Sequence, residues 1–392
     1  MRGGLDRIVL RGLALGVAVL MPLAFALDPP DGDLTRLGGF AENRFGPTAP
    51  QAIFVPPLAE AARPGASYDV LVFGDGFSRP GAEERHAPHG RYWTDHLRNL
   101  TGLTVGVQPA DAPPLSASLS AYLASPDFRE RPPRTLVLQL SERDLRERVG
   151  SLELSTVTAA RPHKAADPAP IAAQPLDRSP RPLQRARAQV WDPPPVGHAL
   201  DLLVKALPRA VLNMVDGPVE ERTLAYAGLF SSAAATTTLF HAEDFRPWRT
   251  DRRLLEDRRA GLHAIQDAVE ANGVTRFLLL VAPDKGTVYA DFLLAPPPHR
   301  SAVDEVLSAD PTLRTVPLAS GLTALAAGGV RDLYAPNGSR WGLEGQLYAA
   351  RTVARTLERM GVLTAADRSP NVAILPCRPT QPDCPPYRTR TD

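Results

Sequence analysis

The chain has 392 residues, which is enough for one large domain or two small ones. Its 44 basic and 43 acidic residues leave a formal charge of +1 and are interspersed, so no strong electrostatic field favours a nucleic-acid partner, and we expect none. The 41 prolines predict long irregular segments beside the folded part.

The first 27 residues have the pattern of an export signal. Three arginines precede an apolar run over residues 12–27, which ends in Ala-Phe-Ala-Leu. A basic segment, a short apolar segment and an Ala-x-Ala site predict a secretory signal cleaved after Ala26. The run of 16 residues is shorter than the ~20 that a membrane span needs. A retained inner-membrane anchor is the alternative, and both hypotheses place the rest of the chain in an exported compartment such as the periplasm.

Residues 28–66 are polar and Pro-rich without a clear period, so we predict a linker that leads into a domain over residues 67–365. In the first part of this domain, short apolar runs alternate with helical patterns, which is typical of an α/β sheet with helices on both sides. The predicted strands are 68–73, 103–107 and 134–140, and the predicted helices are 92–100 and 114–124.

Residues 158–195 interrupt this alternation, because nine prolines fall within them. Such a composition cannot bury a core, so we predict a mobile insertion, with a lid over a cleft as the alternative. The alternation then resumes and is followed by a Pro-rich tail over 366–392. The later predictions are helices at 198–212, 220–229, 250–271 and 342–361, strands at 274–282 and 314–318, and an ambiguous segment at 233–240.

The two cysteines, Cys377 and Cys384, lie in the tail. An oxidising compartment favours a disulfide between them. Two thiols without a nearby histidine cannot complete a zinc shell, so we expect no metal there.

Three short motifs follow predicted strands, where open α/β sheets place ligands. Gly74-Asp75-Gly76-Phe77-Ser78 follows the first strand; its structural interpretation is a turn that needs a positive φ at glycine. Ser141-Glu142-Arg143-Asp144 follows the third strand and predicts acid–base carboxylates or a helix start with local ion pairs. Pro283-Asp284-Lys285, with Tyr289 close behind, follows the strand at 274–282 and predicts a cleft wall or a solvated turn.

A fourth motif runs from Asp332 into the last helix. Pro336-Asn337-Gly338 predicts a turn, and the helical pattern then continues through Leu343 and Leu347. A loop at this point is well placed to present side chains to a cleft.

Together the motifs resemble the alginate O-acetyltransferase family, a branch of the SGNH hydrolases. Gly338-Ser339-Arg340-Trp341, with Gly345 in the helix, matches the family's Asp-Thr-His-Trp motif, and Gly74-Asp75-Gly76 matches Gly-Asp-Ser. Gly76 therefore stands at the serine position, Gly338 at the aspartate position and Arg340 at the histidine position. The two blocks also occur in the opposite order to that of the alginate enzymes.

The resemblance implies a three-layer SGNH/flavodoxin-like domain with a mostly parallel sheet. It also implies a role in exopolysaccharide O-acetylation or assembly. Because arginine stays protonated, Arg340 cannot act as a general base, so we expect a non-catalytic member that binds acidic or acetylated exopolysaccharide without a cofactor. Arg340 would clamp uronate carboxylates, and Tyr334 and Trp341 would stack on sugars. The other predicted binding residues are Asp75, Ser78, Asp284, Lys285, Tyr289 and Asn337.

Two alternatives stay open. One is an active transferase or esterase with a rewired site, in which Ser78 works with His86 or His89. The other is a structural partner of a membrane-bound O-acyltransferase or of a polysaccharide-export complex.

Overall fold

The computed structural model describes residues 32–49, 52–54, 57–80, 90–110, 115–149, 184–185, 217–246 and 251–363, together with Gly12, Leu15 and Gly16. Most of the predicted signal, most of the insertion over 158–195, the predicted helix over 198–212 and the tail with Cys377 and Cys384 lie outside the described residues. Among the described helices, none has both the length and the apolar character to cross a membrane.

Six strands form a sheet in which every neighbouring pair is parallel, in the order β10-β9-β5-β3-β4-β2. Two short antiparallel pairs, β1 with β6 and β7 with β8, lie outside it. The strands are β1 Ala52–Ile53, β2 Glu60–Ala61, β3 Val70–Gly74, β4 Val105–Pro109, β5 Thr135–Ser141, β6 Gln184–Arg185, β7 Val219–Thr223, β8 Thr237–His241, β9 Arg276–Ala282 and β10 Thr315–Val316.

Eleven α-helices are described, and those next to the sheet cover both of its faces. They are α1 Asp33–Gly38, α2 Glu42–Phe45, α3 Trp93–Thr101, α4 Leu115–Ala124, α5 Pro126–Glu130, α6 Glu142–Val149, α7 Arg252–Glu270, α8 Lys285–Tyr289, α9 Val303–Ser308, α10 Ala319–Ala327 and α11 Leu343–Arg359. Helices α3, α10 and α11 pack on the face that carries Val70 and Val72. Helices α4, α6, α7 and α9 pack on the face that carries Leu71 and Phe73. The predicted α/β class with a mostly parallel sheet is thus confirmed.

The strand order creates one reversal point. From β3 the chain moves outward to β4 and then returns to the other side of β3 as β5, before continuing outward to β9 and β10. The helices that follow β3 and β5 lie on opposite faces of the sheet, and we call the region between the carboxyl ends of the two strands the crevice. In open α/β sheets, this is the place where ligands bind.

The predicted strands near β3, β4, β5, β9 and β10 are all present, with shifts of one or two residues at most ends. The predicted helix over 220–229 is wrong, because residues 219–223 form β7 and pair with β8. Glu220, Glu221 and Arg222 are good helix formers, but pairing with the buried strand β8 overrides that local preference.

Residues 28–66, predicted to be a linker, contribute to the folded part wherever they are described. Helices α1 and α2 bury Leu34 and Phe45 against Val219 and Leu239 of the β7–β8 hairpin. The short strand β2 extends the edge of the main sheet beside β4. We call residues 32–49 the N-terminal strap, because they cross over the loop that precedes α11.

Candidate functional site

The four motifs predicted from the sequence meet at the carboxyl edge of the sheet, near the reversal point. Asp75, just after β3, accepts a hydrogen bond from the backbone of Ser141 at the end of β5 (2.9 Å). Glu142, at the start of α6, accepts one from the backbone of Asp284 after β9 (2.9 Å). Lys285 in turn contacts the loop over residues 332–341, which we call the arginine loop. The crevice is thus surrounded by all four segments.

Gly76 and Arg340 lie against each other in this crevice. A β-carbon at position 76 would be 2.1 Å from Cζ of Arg340 and 2.3 Å from its Nε. The φ of Gly76 is not among the positive values found in the described chain, so the prediction of a left-handed turn is wrong there. With Arg340 in this conformation, no side chain fits at position 76, because the guanidinium approaches the backbone closely.

Asp75 is a buried carboxylate that holds the end of β3 to the end of β5. Its Oδ1 accepts a hydrogen bond from the backbone of Phe77 (2.8 Å). Burial and the charge of Asp144 raise the pKa of Asp75 to about 6, although the hydrogen bond from Phe77 and the charge of Arg340 oppose the shift. The carboxylate therefore titrates near pH 6, and both of its oxygens accept hydrogen bonds from backbone N–H groups.

Ser78 does not face the crevice as a nucleophile would. Its hydroxyl donates a hydrogen bond to Gln139 (2.6 Å) and accepts one from Nε1 of Trp93 (2.9 Å), and the residue is buried. These two bonds use the hydroxyl to join β5 to α3. His86 and His89, its hypothetical bases, lie outside the described residues.

Lys285 shapes the arginine loop from inside. Its ammonium is fully buried and donates hydrogen bonds to the carbonyls of Ala335 (2.9 Å), Pro336 (3.0 Å) and Gly338 (3.3 Å). Burial lowers the pKa of Lys285 to about 7, against the charges of nearby aspartates that raise it. The prediction of a solvated turn is thus wrong for Lys285, whose buried ammonium binds three carbonyls of the arginine loop.

The N-terminal strap holds the same loop from outside. The carbonyl of Asn337 accepts hydrogen bonds from the backbones of Leu34 and Thr35 (both 3.2 Å), at the start of α1. The side-chain amide of Asn337 donates to Glu42 on α2. Asn337, predicted to line the cleft, therefore binds the strap.

Asp33 brings a carboxylate from the strap to the arginine loop. Its Oδ1 accepts a hydrogen bond from the backbone of Ser339 (2.8 Å), and its Oδ2 accepts one from the Ser339 hydroxyl. Burial would raise the pKa of Asp33, but the charge of Arg340 and the bonds from Ser339 outweigh it and hold the pKa below its ordinary value. A β-carbon at Gly338 would be 3.0 Å from Oδ1, so Asp33 borders the space of a side chain at that position.

Arg143, on α6, adds a second guanidinium to the crevice. Burial lowers its pKa, but four carboxylates more than compensate and hold the pKa above its ordinary value. Its Nη1 is buried without a hydrogen-bond partner in the part of the chain that the structure describes. The four carboxylates belong to Asp284, Asp244, Asp144 and Asp33.

The aromatic residues predicted to contact sugars belong to the core. Tyr289 and Tyr334 are fully buried with ring centroids 6.0 Å apart, and the Tyr334 hydroxyl donates to the carbonyl of Pro283. Trp341 is 4% exposed and packs edge-on against Phe77. Neither Tyr334 nor Trp341 offers a face to solvent, so the stacking role predicted for them does not fit the structure.

This arrangement places two guanidiniums among carboxylates and is poorly suited to activating a hydroxyl. The guanidiniums of Arg340 and Arg143 stay protonated and cannot accept a proton. Ser339 does donate its hydroxyl to Asp33, yet a carboxylate with a lowered pKa is a weak general base. Within the described residues, no three His, Cys, Asp or Glu side chains are grouped to hold a metal ion.

Asp33 and Ser339 are site residues that the sequence motifs do not predict. Asp33 lies in a segment without apolar periodicity, and its partner Ser339 is 306 residues further along the chain. Gly32-Asp33 before Leu34-Thr35 has the acidic first turn of a short helix, but nothing in that pattern indicates a distant partner.

Comparison of the chain with family models, with curated protein sequences and with solved structures finds no match.

Proposed function

We propose that the protein is a non-catalytic SGNH-like member of the alginate O-acetyltransferase family that binds acidic or acetylated exopolysaccharide during its O-acetylation or assembly. One observation carries this proposal. Gly76 and Arg340, which stand at the family's serine and histidine positions, are 264 residues apart in the chain yet lie against each other at the reversal point of the sheet. Gly338, at the aspartate position, is two residues away on the same loop.

The strand order supports the same proposal. Without the short edge strand β2, the order is 2-1-3-4-5 in chain sequence, as in flavodoxin-like sheets. The loss of nucleophile, base and orienting acid removes the chemistry of ester transfer but leaves an arginine in the crevice. An arginine is suited to bind the carboxylates of a uronate polymer. The basic and apolar N-terminal segment favours an exported, periplasmic location, where a membrane-bound O-acyltransferase or export complex would be the partner.

Titration of the purified protein with oligouronides and with neutral oligosaccharides of equal length tests the proposal. We expect the oligouronides alone to bind, and Arg340→Ala to weaken binding tenfold or more. Acetyl-ester hydrolysis by the wild type is expected to stay at the level of a protein-free blank. Equal affinity for both oligosaccharides, or turnover above the blank, would contradict the proposal.

A further inference from the structure

Asp33 occupies the position of a bound carboxylate. Both of its oxygens accept hydrogen bonds from Ser339, one from the backbone N–H and one from the hydroxyl. The guanidiniums of Arg340 and Arg143 lie within electrostatic range of the same carboxylate. Two hydrogen bonds from one residue and two guanidiniums nearby are what a protein offers to a carboxylate ligand.

We propose that Ser339, Arg340 and Arg143 form a carboxylate cradle, that Asp33 occupies it as an internal ligand, and that an external carboxylate binds only by displacing Asp33. The inference rests on the proposed function, because it names the ligand group that this crevice takes. It adds that the N-terminal strap competes with the ligand.

The charges around the cradle favour displacement over simple addition. Arg143 and Arg340 together face five carboxylates, those of Asp33, Asp75, Asp144, Asp244 and Asp284. With Lys285 included, Asp332 also belongs to the group, so three cations face six anions. A further anion would enter a site whose positive charge is already balanced, so it binds favourably only where one of the six leaves.

Asp33 accepts hydrogen bonds from Ser339 and Leu34, but it is the one carboxylate of this group that lies on the N-terminal strap. Asp75 accepts hydrogen bonds from two backbone groups beside the central strands, and Asp244 accepts one from Gly286 (3.0 Å). Asp33 instead lies on the six-residue helix α1, whose apolar contacts form a small cluster separate from the two cores of the sheet. Small peripheral units open locally at a lower free energy than the whole domain unfolds.

The strap also offers a matched control. Glu42, on α2, accepts hydrogen bonds from Asn337 and from Thr35 (2.6 Å for Thr35), so it ties the strap to the same loop without entering the cradle. Glu42→Gln therefore loosens the strap but leaves Asp33 in place. Asp33→Asn keeps the shape of the side chain but removes the competing charge.

Calorimetric titration of the full chain with sodium glucuronate, and with methyl glucoside as the neutral probe, tests the inference. We expect Asp33→Asn to bind glucuronate at least tenfold more tightly than wild type, Glu42→Gln to change the affinity less than threefold, and Arg340→Ala added to Asp33→Asn to abolish binding. Equal glucuronate affinity in wild type and Asp33→Asn overturns the inference. So does an equal gain from Glu42→Gln, because strap opening alone would then explain the effect.

Hydrogen exchange of the wild type gives a second measurement that needs no variant. Saturating glucuronate is expected to speed exchange in residues 33–38, and unchanged or slower exchange there overturns displacement.

Failure of this inference can be distinguished from failure of the proposed function. Oligouronide binding by wild type with no effect of Asp33→Asn keeps the proposed function and removes the inference. If Asp33→Asn binds glucuronate but the wild type does not bind oligouronides, the carboxylate cradle is kept and the proposed function is removed.

Discussion

The guanidinium of Arg340 fills the space that any side chain at position 76 would need. A β-carbon on Gly76 would lie 2.1 Å from Cζ and 2.2 Å from Nη2 of Arg340, far inside van der Waals contact. Position 76 can therefore carry a side chain only where Arg340 moves or is shortened. The two residues form one unit, in which glycine at one position allows arginine at the other.

Gly76→Ala tests this unit. We expect a loss of about 1–3 kcal/mol in the free energy of unfolding, because the added methyl forces the partly buried Arg340 out of place. In the Arg340→Ala background, the same change is expected to cost less by at least ~1 kcal/mol. Urea unfolding of the two single variants and the double variant measures this coupling, and strictly additive effects would contradict it.

Gly217→Ala is the matched control for the glycine change. No heavy atom lies within 4 Å of a β-carbon at this position. The substitution therefore reports only the entropy that alanine removes from the unfolded chain, which stabilises by a few tenths to about 1 kcal/mol. A cost at Gly217 similar to that at Gly76 would show that the effect is not due to Arg340.

The central strands could be predicted from the sequence because each is buried on both faces. β3 reads Val-Leu-Val-Phe-Gly and β5 reads Thr-Leu-Val-Leu-Gln-Leu-Ser, and every residue of both is buried. Such apolar runs are a local signal. The rule that parallel strands bring their carboxyl ends together then predicted that Asp75 and Asp284 would lie on one edge of the sheet.

The rest could not be predicted because its signals are non-local. In β7 only Val219 is buried, so the strand depends on its partner β8 for its structure. The strap has no apolar period, and its buried residues contact a hairpin that follows almost 200 residues later. Burial of Tyr334 and Trp341 likewise depends on the packing of the arginine loop, which the motif alone does not define.

Leu34 is expected to anchor the strap in its closed position. Leu34→Ala removes a fully buried side chain from the cluster with Phe45 and Val219, so we expect a loss of about 2–4 kcal/mol in the stability of the strap. Leu37 lies on the same helix and is 40% exposed, which makes Leu37→Ala a matched control with an expected change within ~0.5 kcal/mol. Hydrogen exchange over residues 33–45 measures both, and equal exchange in the two variants would indicate a loosely attached segment.

Lys285 is expected to stabilise the arginine loop. Lys285→Met leaves the carbonyls of Ala335, Pro336 and Gly338 without this donor inside the fold. The carbonyls of Ala335 and Pro336 keep hydrogen bonds from the Gly338 N–H (3.1 Å) and the Thr238 hydroxyl (3.2 Å), so the Gly338 carbonyl is the one most affected. We expect a net loss of about 2–3 kcal/mol, after the gain from no longer burying a charge. Urea unfolding measures the loss, and exchange in residues 335–339 locates it.

Thr238→Val is the control for the lysine change. It removes a hydroxyl that accepts one bond from Lys285 (3.2 Å) and donates one to Pro336 (3.2 Å), but leaves the ammonium in place. We expect a loss of about 1 kcal/mol. A loss as large as that of Lys285→Met would assign the loop's stability to the hydroxyl instead of the ammonium.

His96 makes the protein sensitive to acid. The side chain is buried on α3 beside Phe54, and its Nε2 has no hydrogen-bond partner in the described part of the chain. Burial, together with the charge of Arg351, lowers the pKa of His96 from 6.5 to about 3. The unfolded chain binds a proton there as the pH falls below 6.5, whereas the folded protein resists protonation until about pH 3, so acid favours unfolding over this interval.

His96→Phe is expected to remove this contribution. Between pH 7 and pH 5 the wild type should lose about 2 kcal/mol more unfolding free energy than the variant, because ~1.5 pH units below the ordinary pKa correspond to that amount. Urea unfolding at the two pH values gives the difference, in which any packing cost of phenylalanine cancels. His299→Phe, at an exposed position, should keep the wild-type loss. If His96→Phe loses as much unfolding free energy between pH 7 and pH 5 as the wild type, the acid sensitivity comes from another group.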